Sequence, residues 1–258
     1  KPTSMLTILR KDLRLIPYKC YTVQQLINVD KTSRLAMCLR FCEEIQNNDW
    51  IKNVWFTVEA HFYLNGIVNS QTAEYEAGGS EELNERPLRS VKCTAWCALS
   101  ANGIISPQWF HEEGVTVKIN QERYRNVIDR FHGLLQRRQD LRFECQWFQQ
   151  DGATPHTATA TMRHLDELFG GNVTSKKSAF PWSPRSPTSV LDLDFFLWGY
   201  CKDNVYHNNP QNVIELQRSV EDFIKSIPRV MCERVIENFK HRVTECINRR
   251  GDHIEHRI

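Results

Sequence analysis

Apolar and polar positions change their period several times along the chain, and each change predicts an element. Leu35, Cys38, Leu39 and Cys42 recur at helical spacing, which predicts a helix over 31–47. A second helix is predicted before it, over 4–15, with "IPYKCYTVQQLINVD" connecting the two. From residue 52 the period shortens to two. Val54, Phe56 and Val58 alternate with Trp55, Thr57 and Glu59, a strand that ends in the turn pair Asn65-Gly66. Residues 67–88 are polar and aperiodic, the signature of a long inserted arm. Residues 90–110 read as a hairpin with its turn at Asn102-Gly103.

The helical period returns in "QERYRNVIDRFHGLLQRR". There Tyr124, Val127, Ile128, Phe131, Leu134 and Leu135 share a face. The apolar run 142–148 predicts a fourth strand. It stops at Asp151-Gly152, and a helix follows over 157–169. After a Pro- and Ser-rich link, "DFFLWGYCKDNVY" opens another helix. Val213, Leu216, Val220, Phe223 and Ile224 form the stripe of the next. Val235, Ile236, Phe239 and Val243 form that of the last, after Pro228. This order gives an α/β class: a mixed sheet flanked by helices, where reactive groups gather at strand ends.

Composition changes this picture little. The 258 residues are 41% hydrophobic and 25% charged, enough for a real core. A net charge of +2 is far from the excess of a DNA-coating protein. No apolar run is long enough for a membrane span, and no secretory signal opens the chain. Its start lacks Met, consistent with a truncated or processed N-terminus. Nine cysteines without a C-x-x-C read as free thiols in a reducing compartment. His253 and His256 lack a matching zinc pair and read as solvated tail.

The chemistry lies with the carboxylates. Asp151 stands at a strand tip, an awkward place for a charge unless a cation belongs there. A two-metal site needs carboxylates converging from separate elements, with ions about 3.5–4 Å apart. Asp192 and Asp194, just before an aromatic run, offer a second acid. Helix N-capping explains the same two residues equally well.

Several blocks resemble the mariner-superfamily DDE transposases, above all the transposase-like proteins of insect genomes. "WFQQDGATPHTA" resembles the second-Asp motif, and "WSPRSP…LDFFLWGYCKDNVY" the block carrying the third Asp. "FTVEAHFYLNG" resembles the first-Asp strand, "RKDLRLIPYK" the linker after the DNA-binding domain, and "ENFKHRVTECINRRGDHIEH" the C-terminal end. The resemblance implies an RNase H-like fold with a clamp-like insertion at 67–88. It implies a division into 1–47, the end of a DNA-binding region with linker helices, and 48–258, the catalytic domain. It further implies DNA cleavage and strand transfer at transposon ends, Mg²⁺ or Mn²⁺, a nuclear location and a possible homodimer. Asp151 and Asp194 become the catalytic and metal-binding acids, with Asp192 the alternative to Asp194. His156 would lie near the site, although a helix-start histidine accounts for it as simply. Trp182 and Arg185 become candidates for base and phosphate contact.

This copy departs from that pattern. Val58 occupies the first-Asp position, and Glu59 beside it points to the opposite face of the strand. Thr188 stands where a further Asp is usual, and the segment carries one extra residue. The expectation is a transposase-derived DNA-binding protein inactivated by Val58, with metal binding weakened. The alternatives are an enzyme still active through Asp151, Asp194 and a substitute ligand, or a remnant without a role.

Overall fold

The computed structural model describes residues 25–47, 49–66, 91–112, 115–183 and 194–254, with Asn47, Asp49, Asp194 and Phe195 described by their backbone alone. The predicted helix 4–15, the arm 67–88, Thr188, Asp192 and Arg185 lie outside these residues, as do the side chain of Asp194 and His256.

Six strands form one sheet in the order β3-β2-β1-β6-β7-β8. Strand β1 (Val54–Tyr63) pairs antiparallel with β2 (Lys92–Ser100), which pairs antiparallel with β3 (Gly103–Trp109). On the other side β1, β6 (Trp147–Gln149), β7 (Val173–Ser175) and β8 (Phe180–Pro181) run parallel. A separate two-stranded ribbon joins β4 (His111–Glu112) to β5 (Val115–Thr116). The hairpin turn is where Asn102-Gly103 predicts it, and Gly103 takes φ +112°, which an L side chain rarely adopts.

Alternation along β1 sends its side chains into different cores. Val54 and Phe56 pack against α1 (Asn28–Asn47) and α6 (Arg229–Asn248), with Met37, Cys38, Phe41, Ile236 and Phe239. Further along that face, Phe62, Cys93, Ala95 and Cys97 meet α4 (Tyr200–Val205) and α5 (Val213–Ser226). Trp55 faces the other way with Trp96 and Phe148. They pack on α2 (Gln121–Gln136) and α3 (Thr159–Phe169). Strand β2 is covered on both faces, which explains why its sequence reads as a nearly continuous apolar run. Helix α2 starts where Asn120 accepts a bond from the Arg123 amide, and α3 ends at Gly170 in the left-handed region.

Two features differ from the sequence reading. Only 147–149 of the run 142–148 and its extension are strand; Phe143–Cys145 form a 3-10 turn. The side chain of Gln146 explains the break. It accepts from the Trp55 indole at 2.8 Å and donates to the Arg142 carbonyl at 3.0 Å, closing the turn before β6. Strands β7 and β8 have no counterpart in the sequence reading, because three and two residues are too short to show a period. Helix α1, placed with the linker region by the division at residue 47, shares its core with α6 and the sheet.

Candidate active site

Strand β6 ends between β1 and β7, so its last residues emerge at the carboxyl edge of three parallel strands. The end is firmly held. Thr57 donates its hydroxyl to the Gln149 carbonyl at 2.9 Å. Gln150 is fully buried; its amide donates to the His156 carbonyl and the Ser175 hydroxyl, and its oxygen accepts from the Tyr124 hydroxyl. Asp151 follows immediately, and its side chain remains 45% exposed.

The loop after Asp151 folds back on it. Oδ1 of Asp151 accepts from the Ala153 amide at 2.9 Å and contacts Nδ1 of His156. The imidazole is 4% exposed and lies flat against the Tyr124 ring, with centroids 3.9 Å apart. Its other nitrogen, Nε2, stands 3.2 Å from Oε1 of Glu59. That contact is close enough for an ion pair but lacks hydrogen-bond alignment, since Oε1 has no aligned donor. Its attraction is therefore mainly coulombic.

A ring with a carboxylate at each nitrogen is best satisfied as the imidazolium, because the neutral form would turn a lone pair towards one acid. Burial pulls the His156 pKa down, but the charge of Glu59 and the bond to Asp151 outweigh it and raise the value to about 9. Burial pushes the Asp151 carboxyl up; the bond to His156 reverses that and leaves it below its ordinary value. Burial, then the charges of Glu59 and Asp151, hold the Tyr124 phenol well above its ordinary value.

Val58 occupies a different corner. The parallel register sets Phe56 opposite Gln149 at the end of β6, and Val58 lies two residues further along β1 on the face of Phe56. Val58 pairs with Cys97 across β2 and packs, half-buried, between the two cores on its face. Glu59 is on the opposite face, as alternation requires. The backbone of Asp194 opens a π-turn, Asp194–Gly199, that touches β1. Phe196 in that turn packs against the same two cores as Val58.

Val58 offers no donor, and Oδ1 of Asp151 is already engaged. Among the described residues no group of three His, Cys, Asp or Glu could hold a metal ion. Glu59, His156 and Asp151 do come together, but a protonated ring already supplies the positive charge between the acids.

Trp182 requires a correction. Its place in the sequence makes it a candidate for stacking on bases, yet it is 2% exposed and meets Phe41 edge-on in the core beside α1. Its ring face is not offered to a nucleic acid. The Glu59–His156–Tyr124 arrangement has no sign in the sequence. Tyr124 reads there only as part of an apolar helical stripe.

No protein-family model and no curated protein sequence matches the chain. Solved structures do. The fold is similar to the Mos1 mariner paired-end complex with Mn, at a TM-score of 0.76 and 14% identity over 96% of this chain and 71% of that one. It is also similar to the Mos1 transposase paired-end complex with left transposon end, at 0.73 and 14% identity over 98% and 76%. The catalytic domain of Mos1 mariner transposase is matched over its full length, with 91% of this chain, at 0.67 and 15% identity. At such identities the likeness shows the fold alone, a mixed six-stranded sheet flanked by helices like that of the Mos1 catalytic domain.

Proposed function

We propose that this is a mariner-type, transposase-derived protein that binds DNA and has lost metal-dependent strand cleavage. The fold supports the mariner origin, together with the sequence blocks in matching order. One of the similar structures is a paired-end complex with a left transposon end, and another is a paired-end complex with Mn. Nucleic acid is therefore the partner this reading takes for the chain. The observation that carries the loss of cleavage is Val58. Continued past its last pair, Phe56–Gln149, the β1–β6 register would bring the isopropyl group of Val58 beside Asp151, where a second carboxylate would be needed to share a metal ion. Glu59 does not take over the role, because it lies across the strand and faces the His156 imidazolium.

Nicking of supercoiled plasmid in Mn²⁺ tests the proposal, run beside a DNA-binding titration at several salt concentrations. The expected result is binding that weakens steeply with salt and no nicking by the wild type. Nicking by the wild type that disappears in Asp151→Ala would establish instead an enzyme working through Asp151, Asp194 and a substitute ligand. Absence of salt-dependent binding would leave a remnant without a role.

A further inference from the structure

The loop 151–158 and the turn 176–179 lie together at the carboxyl edge of β6 and β7, the side of a parallel sheet where ligands usually bind. Two contacts join them. Lys177 donates from Nζ to the Thr157 carbonyl at 2.8 Å. The stem of Lys176 lies across Gly152, so close that a Cβ there would stand 3.1 Å from its Cδ. The missing side chain of Gly152 thus lets a lysine settle beside Asp151. Arg40 reaches the same turn from α1, donating to the Ala179 carbonyl at 2.7 Å, with its guanidinium over the Phe180 ring.

Charge on this edge is unbalanced. Asp151 is the only acidic residue in either segment, and it is engaged by His156. Arg40, Lys176 and Lys177 bring three cations to the edge. Arg40 and Lys177 are already committed, since each bonds a backbone carbonyl. Lys176 is exposed, and among the described residues its ammonium makes no hydrogen bond or ion pair. A fixed stem with an uncommitted ammonium suits an anion that arrives from solvent.

We propose that Lys176 is a phosphate-contacting residue, holding a DNA backbone phosphodiester over the edge formed by Gly152 and the β7–β8 turn. This rests on the reading of DNA as the partner and adds where the strand lies. One phosphate contact changes the salt dependence of binding by about 0.9 in log–log slope, or about eightfold in affinity at roughly 0.1 M salt.

The experiment is fluorescence anisotropy with a short labelled duplex of arbitrary sequence, titrated over a range of salt. Lys176→Gln should weaken binding about eightfold and reduce the slope by about one, while Lys176→Arg keeps both. Lys225→Gln, on α5 with Glu221 and Asp222 as its partners, is the control and should change neither. Wild-type binding with an unchanged slope in Lys176→Gln would overturn the placement and leave the function standing. An equal loss in Lys225→Gln would also overturn it, by showing that charge anywhere on the surface suffices. No binding by the wild type would overturn both.

Discussion

The His156 imidazolium makes the stability of the fold depend on pH between about 6.5 and 9. In the unfolded chain the ring titrates near 6.5; in the folded protein its pKa is about 9. A raised value means that the folded state binds the proton more tightly. The stabilisation is therefore complete below pH 6.5 and disappears as pH rises through about 9. At about 1.4 kcal/mol per pH unit, the interval is worth roughly 3 kcal/mol. The depressed Asp151 value expresses the same contact from its other side and is not added again. The assay is urea unfolding at about pH 6, 7 and 8, compared with His156→Gln, stopping short of the range where the buried thiols of Cys93, Cys97, Cys201 and Cys232, raised by burial, add a loss of their own. Wild type should lose roughly 2 kcal/mol across the scan, and the variant should start lower and stay nearly flat. Burial lowers the values of His61 and His132, so their effects fall below this window. A wild-type slope that persists unchanged in His156→Gln would refute the assignment of the charge to this ring.

Other parts of the structure make equally direct predictions. Gly251 has φ +84°, and a Cβ there would lie 2.0 Å from the Lys31 carbonyl oxygen, a clash with backbone that cannot rotate away. Gly251→Ala should therefore cost roughly 3 kcal/mol or more in thermal unfolding, freeing Asp252 from its 2.6 Å contact with Lys31. Tyr124→Phe removes the donor to the buried oxygen of Gln150 and should cost about 1–3 kcal/mol by urea titration, leaving the ring stack on His156 in place. Val58→Asp puts a carboxylate into a half-buried apolar gap and should cost about 2 kcal/mol without metal. Mn²⁺ should return part of that loss in differential scanning fluorimetry, whereas it should leave the wild-type midpoint where it is.

Much of the architecture is legible from period alone. The alternation of Val54, Trp55 and Phe56 assigns each to the core where it is found. The stripes on α2, α5 and α6 mark their buried faces, except that Leu134 at the edge of the α2 stripe is exposed, and Leu216, Val220 and Ile224 are buried as their spacing requires. The end of β6 is legible too, because a charge followed by Gly shortly after an apolar run marks the close of a strand. Short elements are not. Val173–Ser175 contains one large apolar residue, and its strand exists because β6 and β8 pair with it on either side. Trp182 misleads for a similar reason. Next to a Pro- and Ser-rich segment it reads as exposed, yet the N-terminal helix, distant in sequence, covers it through Phe41 and Met37.

Glu59 shows most clearly where local pattern stops. Strand alternation correctly puts it on the face away from Val58, and on that ground it has no place in a site with Asp151. But the loop after Asp151 crosses to the face of α2, carrying His156 under Glu59 and onto Tyr124. The ring thus ties two acids from different strands without any metal. It follows that the end of β6 owes its order to His156, Gln150 and Thr57, none of which depends on residue 58. On the proposed reading, a protein with valine at that corner can keep its sheet, its loop and its basic edge intact while lacking a ligand for cleavage. Folding and DNA affinity then carry no information about catalysis, and nicking by the wild type, Asp151→Ala and Val58→Asp is what separates the two.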